Sequence, residues 1–168
     1  MESERQVIYN LYHMLPDDVQ QHCFRVSVLL KELGKTEQLN INELELIGIA
    51  HDIGKFYIPD SILYKPDKLT TLERQIIDQH SFYGYQMLKE KGIKDDIAVP
   101  VLYHHSFTPP VFGNFKLPVP TKKQIHYSEA LKIVDVFDAL KEKRTYKEAF
   151  SDEDIANIMF NNFISIQK

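Results

Sequence analysis

Apolar residues recur every three or four positions along most of the chain, which is the spacing of one face of an α-helix. The first clear stripe runs from Val19 to Leu33 and lies between Pro16 and Gly34. Proline is favoured in the first turn of a helix, and glycine is favoured just past its end. The pattern therefore predicts one long helix that starts at Pro16 and that Gly34 ends in a left-handed cap.

The same spacing, together with capping signals, predicts the rest of the secondary structure. Thr70 and Glu73 have the separation of a capping box. Further helices are predicted from the residue after Asn42 to Gly54, from Thr70 to Gly92, from Asp95 to His105, from Ile125 to Leu140, and from Ser151 onward. No alternating apolar pattern bounded by hairpin turns occurs, so we predict an all-α, single-domain helical bundle over residues 1–168.

The stretch from Ser106 to Lys123 interrupts this pattern. It holds Pro109, Pro110 and Gly113 among several aromatic residues and cannot form one continuous helix. We predict a long loop. A functional loop and a connector packed by its own aromatic side chains both remain open.

Composition narrows the class of protein. The 168 residues are 43% hydrophobic and 26% charged, as in ordinary globular proteins, and the formal net charge of -4 offers no broad basic field for duplex nucleic acid. Cys23 is the single cysteine, which excludes an intrachain disulfide and a thiolate-rich zinc site. No apolar run approaches the roughly 18 residues of a membrane span. These features predict a cytoplasmic protein without a membrane segment.

Histidines carry the candidate chemistry, because most of them fall on apolar stripes or at predicted helix ends. Five of the seven do so: His22, His51, His80, His104 and His105. Asp52 follows His51 directly, and Asp135 lies within an apolar helical segment. Imidazole and carboxylate together suit iron, manganese or zinc, and paired metals can activate a water and clamp a phosphoryl group.

This ordered series resembles the ligand set of the HD superfamily of metal-dependent phosphohydrolases. More specifically, residues 18–152 resemble the HD-GYP subfamily, whose members typically hydrolyse the cyclic dinucleotide c-di-GMP. The similar segments include His51-Asp52-Ile53-Gly54-Lys55, Leu63-Tyr64-Lys65-Pro66, Val134-Asp135-Val136-Phe137-Asp138-Ala139-Leu140 and Arg144-Thr145-Tyr146-Lys147-Glu148-Ala149-Phe150.

The resemblance implies two or three divalent ions, with iron or manganese favoured over zinc, magnesium or nickel. One ion would be held by His22, His51, Asp52 and Asp135. Asp52 would bridge to a second ion held by His80 and His104. His105 would complete that second site or serve a third ion, for which Asp18 lies one helical turn before His22.

The resemblance also implies a phosphate-binding role for Lys55, with Asp52 and Lys55 as the catalytic pair. The competing interpretation of Lys55 is a solvated lysine after a glycine that ends a helix. Arg144 and Lys147 match the phosphate-contacting segment of the family, and they also suit a basic, exposed helix end.

The chain departs from the subfamily directly after the paired histidines. It has Ser106-Phe107-Thr108-Pro109-Pro110-Val111-Phe112-Gly113-Asn114 where the subfamily has a Glu, an Asp-Gly and the Gly-Tyr-Pro motif. We therefore predict a metal-dependent phosphohydrolase, with a metal-activated water, for a small phosphoester or nucleotide. A di-iron oxygenase and a non-catalytic, metal-containing nucleotide-sensing or interaction module are the alternatives, and a homo-oligomer stays open.

Overall fold

A computed structural model describes residues 3–105 and 116–143, and it confirms the all-α prediction because it contains helices and no strand within those ranges. A short 3-10 helix, Ile53–Tyr57, lies between α3 and α4. The α-helices are α1 Glu4–Tyr12, α2 Asp17–Thr36, α3 Ile41–Ala50, α4 Asp60–Leu63, α5 Thr71–Asp78, α6 His80–Glu90, α7 Asp95–Tyr103 and α8 Lys122–Lys143.

Helix α2 begins where it was predicted, directly after Pro16, but the prediction of its end was wrong. The helix continues through Gly34 to Thr36, and the left-handed backbone conformation is adopted by Gln38, with a φ of 55°. Gly34 instead leaves room for the Leu44 side chain, because a Cβ atom at residue 34 would lie 2.5 Å from Cδ1 of Leu44. The glycine therefore marks the close approach of α2 and α3 rather than a helix end.

Helix α3 differs from its prediction at both ends. It begins earlier because the Asn40 side chain accepts hydrogen bonds from the backbone N–H groups of Asn42, at 3.2 Å, and Glu43, at 3.3 Å. It ends at Ala50, and Gly54 lies inside the following 3-10 helix. A Cβ atom on Gly54 would meet the backbone carbonyl oxygen of His80, so this glycine permits the 3-10 helix to pack directly on α6.

The capping box of Thr70 and Glu73 is confirmed, with hydrogen bonds in both directions. The single helix predicted from Thr70 to Gly92 is wrong, since the chain breaks at Gln79 into α5 and α6. At the break, Nδ1 of His80 bonds to the carbonyl oxygen of Ile77 at 2.6 Å and competes with the backbone for that acceptor. Gly92 then follows α6 in the left-handed conformation, with a φ of 75°.

The later helices agree more closely with their predictions. Helix α7 contains Pro100 and ends at Tyr103, and α8 is longer than predicted because it already begins at Lys122. The predicted loop keeps no regular structure over residues 116–121, while residues 106–115 and the helix predicted from Ser151 lie outside the described ranges. Helix α1 was not predicted, although Ile8, Leu11 and Tyr12 are buried on one of its faces.

The core forms where α2 packs against α3 and α8, with α7 closing the other side of α3. Leu30, Ile47, Leu88 and Leu131 belong to one continuous cluster of buried apolar side chains. This packing brings residues that are distant in sequence to a common site. In the described part of the chain, no helix is both long and apolar enough to span a bilayer.

A buried carboxylate, Glu43, fixes three helices to one another at the start of α3. It accepts hydrogen bonds from Lys94 at 2.7 Å and Tyr127 at 3.0 Å, and it forms an ion pair with Lys123 at 2.8 Å. Burial alone would raise the pKa of the Glu43 carboxyl, but the ammonium groups of Lys123 and Lys94 lower it. The charge is therefore compensated, and α3, α7 and α8 are held in one register.

Candidate metal centre

The side chains predicted to bind metal meet where several helix ends approach one another. They are His22 on α2, His51 and Asp52 after α3, His80 at the start of α6, His104 and His105 after α7, and Asp135 on α8. His51 and His104 are completely buried, whereas 34% of the His105 side chain is exposed. The cluster is therefore closed at its base and open beside His105.

His22, His51 and Asp135 form a first group whose ligand atoms converge. Nε2 of His22 lies 3.2 Å from Nε2 of His51 and 2.9 Å from Oδ1 of Asp135. The same Asp135 oxygen is 3.8 Å from Nε2 of His51. Two imidazole nitrogens and one carboxylate oxygen thus face a common point.

His80, His104 and His105 form a second group. Nε2 of His80 and Nε2 of His104 are 3.4 Å apart, and the His105 ring lies 3.9 Å from the His104 ring between centroids. Nε2 of His105 is also 3.9 Å from Oδ2 of Asp135, so this carboxylate faces both groups.

Asp52 lies between the two groups and directs one oxygen to each. Its Oδ1 is 3.2 Å from Nε2 of His80, and its Oδ2 is 3.4 Å from Nε2 of His51. Burial alone would raise the pKa of the Asp52 carboxyl, but the Lys55 ammonium and the neighbouring imidazoles hold it well below its usual range. Asp52 is therefore an ionised carboxylate in the position of a bridge.

The ring orientation of each deeply placed histidine is fixed from behind by a backbone carbonyl three residues earlier. Nδ1 of His51 donates to Gly48 at 2.8 Å, Nδ1 of His80 to Ile77 at 2.6 Å, and Nδ1 of His104 to Val101 at 2.7 Å. A carbonyl oxygen only accepts, so Nδ1 carries the proton in each ring. In the neutral ring, Nε2 then keeps a free lone pair, which is the form that binds a metal.

The facing nitrogens of His80 and His104 test whether a metal ion fits. Both carry lone pairs, so neither can donate to the other, and burial lowers the pKa of His80 to about 4 and that of His104 well below its usual value. A proton is therefore a poor bridge between them. Two nitrogens that each lie about 2.1 Å from one ion are separated by roughly 3.0–3.4 Å. The observed 3.4 Å fits a shared divalent cation.

His22 differs from the other three because a side chain holds its Nδ1. That nitrogen lies 2.8 Å from Oδ2 of Asp138, and the same carboxylate accepts two bonds of 2.9 Å from Arg25. Burial would lower the pKa of His22, but its hydrogen bonds to Asp135 and Asp138 raise it to about 9. Burial would raise the pKa of the Asp138 carboxyl, but His22 and Arg25 lower that pKa to about 2.

Arg25 is a residue of the site that the sequence did not single out. Two sequence signals could have identified it: Arg25 lies three residues after His22 on the same side of α2, and the segment from His22 to Val26 resembles the family. The Asp138 carboxylate contacts Nδ1 of His22 and thereby orients that ring.

Lys55 lies at the edge of the cluster, on the 3-10 helix. Its Nζ is 2.5 Å from Oδ2 of Asp52, and 21% of the side chain is exposed. Burial would lower the pKa of the ammonium, but the Asp52 carboxylate raises it, so Lys55 stays charged. A partly accessible cation thus lies beside the candidate bridging carboxylate.

Cys23 and Asp18 do not extend the set of ligands. The Cys23 thiol lies near His51 and Asp52, but burial raises its pKa well above the usual value, and a protonated thiol is a poor ligand. Oδ1 of Asp18 accepts a hydrogen bond of 2.9 Å from the Tyr64 hydroxyl. Among the described residues, Asp18 belongs to none of the groups suited to a metal, so the third ion stays a prediction. Arg144 and Lys147 lie outside the described ranges.

Comparison with known proteins relates this arrangement to a protein family. The family model described as HD domain matches residues 19–140, a range that contains every residue of the cluster. The chain is similar to the 3'3'-cGAMP-specific phosphodiesterase 2 of Vibrio cholerae, with 31% identity over 92% of this chain and 31% of that protein. It is also similar to the cyclic di-GMP phosphodiesterase response regulator RpfG of Xanthomonas campestris, with 30% identity over 74% of this chain and 33% of that protein.

The chain spans about a third of the length of these curated relatives. Among solved structures, the HD domain of the Listeria monocytogenes phosphodiesterase PgpH superposes with a TM-score of 0.62. The alignment covers 86% of this chain and 76% of that chain, at 19% sequence identity. At this identity the likeness shows a common fold.

Proposed function

This chain belongs to the HD domain family, and on that premise we propose that it is a metal-dependent phosphohydrolase that cleaves a small phosphoester or nucleotide. One observation carries the proposal. The two groups of inward-facing imidazoles share the buried carboxylate of Asp52, which also contacts the Lys55 ammonium. Paired cation sites beside a fixed positive charge are suited to a phosphoryl group, which carries negative charge on several oxygens.

In this proposal each group holds one divalent ion. The first ion would be bound by His22, His51 and Asp135, and the second by His80, His104 and His105, with Asp52 contributing one oxygen to each. Divalent ions in such a pair supply a water of lowered pKa and compensate the charge that develops on phosphoryl oxygens.

Lys55 would bind and orient the phosphate. An ammonium has three N–H donors, so it can keep its bond to Asp52 while it donates another to a phosphate oxygen. The contact with Asp52 holds the long side chain beside the cluster, which reduces the conformational entropy that substrate binding would otherwise cost.

We propose iron or manganese as the resident metal, rather than zinc, magnesium or nickel. The donor set combines several imidazoles with two carboxylates, and the single thiol, on Cys23, is held in its protonated form. This mixture suits iron, manganese or zinc, whereas magnesium prefers oxygen ligands alone, and the family resemblance favours iron or manganese among the three. The free cysteine also supports a location in a reducing compartment such as the cytoplasm.

Phosphodiesters are the first substrates to test. Two relatives are named as phosphodiesterases for 3'3'-cGAMP and for cyclic di-GMP, and these cyclic dinucleotides contain phosphodiester bonds. The Gly-Tyr-Pro motif is missing from the stretch after His105, so we propose the class of bond and leave the choice of cyclic dinucleotide to experiment.

The decisive experiment is a hydrolysis assay with Mn²⁺ or with Fe²⁺ under anaerobic conditions. The panel contains bis-p-nitrophenyl phosphate, p-nitrophenyl phosphate, 3'3'-cGAMP and c-di-GMP. We expect the diester to be cleaved faster than the monoester, and we expect Asp52→Asn to abolish activity. Asp67→Asn, which changes an exposed aspartate, should retain it. Inactivity on the whole panel with two ions bound per chain would refute the proposal, and oxygen consumption by the iron-loaded protein would replace it with an oxygenase.

A further inference from the structure

A cavity of about 360 Å³ lies between the 3-10 helix and α6, away from the metal centre. Tyr57 of the 3-10 helix forms one side, and the other side consists of α6 residues: Tyr83, Gln86, Met87 and Glu90. Small-molecule sites have volumes of about 300–1,000 Å³, so the cavity is large enough for a compact ligand. None of the described candidate metal ligands lines it, and a ligand here would occupy a separate site.

The α6 side of the cavity is one continuous face of that helix. Tyr83, Met87 and Glu90 follow one another at intervals of four and three residues, with Gln86 beside them. Met87 is buried, Tyr83 is partly buried, and Glu90 is exposed at the end of the helix. The lining therefore changes from an apolar base to a carboxylate at the rim.

Two tyrosine rings form a corner of the cavity. The ring centroids of Tyr57 and Tyr83 are 5.6 Å apart, and the ring planes are inclined at 61°. The Tyr57 ring also contacts the ring of Phe56, at 5.4 Å between centroids, although 55% of Tyr57 is exposed. The faces of aromatic rings carry partial negative charge and attract a cation that lies within about 6 Å of the centroid.

The carboxylate at the rim has the same sign of charge as the ring faces. No hydrogen bond or ion pair joins Glu90 to another residue of the described ranges. The ammonium of neighbouring Lys89 is directed elsewhere, because it is paired with Asp95 at 2.6 Å and donates to the carbonyl oxygen of Ile93. Glu90 also lies in the last turn of α6, where the helix dipole adds negative potential. The cavity is therefore suited to a cation.

The chemistry of the lining selects the kind of cation. A metal ion requires several ligand atoms, and Glu90 is the single carboxylate among the described lining residues, which include no imidazole or thiol. A primary ammonium is strongly hydrated and needs acceptors for three N–H groups. A quaternary ammonium has no N–H group, and its methyl groups can contact aromatic faces and the Met87 thioether directly.

We propose that this cavity binds a free, small quaternary ammonium compound. Its methyl groups would lie against the two tyrosine rings and Met87, and its charge would lie beside Glu90. The Gln86 amide can both donate and accept, so it would bond to a hydroxyl or carboxylate group on the same ligand. The ligand would contact both the 3-10 helix and α6. This site does not depend on the proposed phosphohydrolase function.

A titration with choline chloride at constant ionic strength, followed by NMR of ¹³C-labelled methionine methyl groups, tests the proposal. Met87 reports from inside the cavity, whereas Met14 lies outside it and is half exposed. We expect choline to shift the Met87 signal in a saturable way and to leave the Met14 signal in place. The neutral analogue 3,3-dimethylbutan-1-ol has the shape of choline without its charge, and we expect it to bind about tenfold more weakly.

Substitutions separate the ring from the charge. Tyr57→Leu removes one aromatic face and should weaken choline binding about tenfold, whereas Tyr57→Phe keeps the face and should bind choline as the wild-type protein does. Glu90→Gln should weaken binding about threefold, as for the loss of one exposed charge. Glu37→Gln, at an exposed glutamate outside the cavity, is the matched control and should keep the wild-type affinity.

The absence of a saturable Met87 shift in the wild-type protein would overturn the proposal. Equal affinities for choline and 3,3-dimethylbutan-1-ol would also overturn it, because the cavity would then bind apolar groups without regard to charge. The same holds if Tyr57→Leu binds choline as tightly as the wild-type protein. Thermal melts and an unchanged Met14 signal establish that each variant is folded, so weaker binding reports on the cavity lining alone.

Discussion

The four innermost imidazoles are oriented in two different ways, and the difference decides which of them a single substitution can disturb. Backbone carbonyl oxygens hold Nδ1 of His51, His80 and His104, and no side-chain substitution removes a carbonyl. Nδ1 of His22 is held by the Asp138 carboxylate, which Arg25 holds in turn. The tautomer of His22 therefore depends on side chains.

Substitution of Asp138 by Asn should weaken metal binding at the group that contains His22. The amide can donate to Nδ1 and thereby favour the tautomer with a proton on Nε2, which cannot bind a metal. We expect the affinity for one Mn²⁺ ion to fall about 10–100-fold. Arg25→Gln should reduce the Mn²⁺ affinity by a smaller factor, because Asp138 keeps its hydrogen bond to His22. Calorimetric titration with Mn²⁺ measures both variants against Asp67→Asn, and an unchanged affinity in Asp138→Asn would contradict this role.

Lys55→Gln should lower kcat/KM for a phosphodiester by about 100-fold, as for the loss of one group that stabilises charge in the transition state. The reason is that Lys55 is a charged group in direct contact with Asp52 and partly open to solvent. The metal content of the variant should be measured in the same preparation, since only an unchanged content assigns the loss to phosphate binding. Lys91→Gln, at an exposed lysine, is the matched control. Wild-type kinetics in Lys55→Gln would show that the lysine only balances the charge of Asp52.

At the scale of the helices, the apolar pattern predicted the segments that contain α2, α3 and α5 to α8, but it missed α1 and α4 and did not determine where the helices end. His51 and His104 directly follow α3 and α7, and His80 follows the break after α5. Each helix end places a backbone carbonyl oxygen three residues before a histidine, and Nδ1 of that histidine donates to it. These ends could not be predicted, since the break at Gln79 and the position of Gly54 depend on contacts between α6 and the 3-10 helix.

Gly54→Ala tests this contact between elements. The new Cβ atom would overlap the carbonyl oxygen of His80 and lie 2.5 Å from the backbone nitrogen of Gly84, so the 3-10 helix would have to move away from α6. We expect a loss of about 3 kcal/mol in the free energy of unfolding and weaker Mn²⁺ binding, because Asp52 and His80 are attached to the two displaced elements.

Gly92→Ala is the control for Gly54→Ala. Its Cβ atom would have no neighbour within 4 Å, and only the positive φ of 75° opposes the substitution. This backbone strain should cost about 1 kcal/mol and leave metal binding unchanged. Urea unfolding and Mn²⁺ titration of the two variants give the comparison. Equal losses of stability would show that the close approach of Gly54 to α6 does not matter.

At the scale of the whole molecule, the site is assembled from residues up to 116 positions apart, as the contact between His22 and Asp138 shows. The order of the histidines and aspartates, which resembles that of a known family, was sufficient to predict which of these side chains lie together, and their roles in metal binding stay predictions. The pairing of Arg25 with Asp138 depends on how α2 packs against α8, which apolar spacing alone does not specify. The roles of Arg144 and Lys147 stay predictions.

The assembled cluster also shifts the pKa values of its histidines in opposite directions, so the stability of the folded chain should depend on pH. Burial lowers the pKa of His51, His80 and His104 below the ordinary 6.5, and that of His80 reaches about 4. The carboxylates around His22 raise its pKa to about 9, against the effect of burial. Three rings are therefore neutral in the folded protein and one is charged, when no metal competes for their nitrogens.

In the presence of a chelator, the free energy of unfolding should be greatest near pH 6.5 and fall on both sides. As the pH falls from 6.5 towards 4, the unfolded chain takes up protons on His51, His80 and His104 that the folded protein binds more weakly, so stability is lost. As the pH rises from 6.5 through 9, the folded protein loses the proton that it held on His22, and that contribution is lost. Three histidines contribute on the acid side and one on the alkaline side, so stability changes more steeply with pH on the acid side. The limiting slope is about 4 kcal/mol per pH unit on the acid side and about 1.4 kcal/mol per pH unit on the alkaline side.

Urea unfolding with EDTA at pH 5.0, 6.5 and 8.5 measures both sides of this profile. His22→Gln should remove the loss between pH 6.5 and 8.5 and leave the acid side in place, because the substitution deletes only the ring whose pKa is raised. Saturating Mn²⁺ should reverse the alkaline trend in the wild-type protein, since metal binding requires the deprotonated ring and improves as the pH rises. If stability instead rises from pH 6.5 to 8.5 in the presence of EDTA, Asp135 and Asp138 do not hold a proton on His22. Other groups would then have to compensate the negative charge of these two carboxylates.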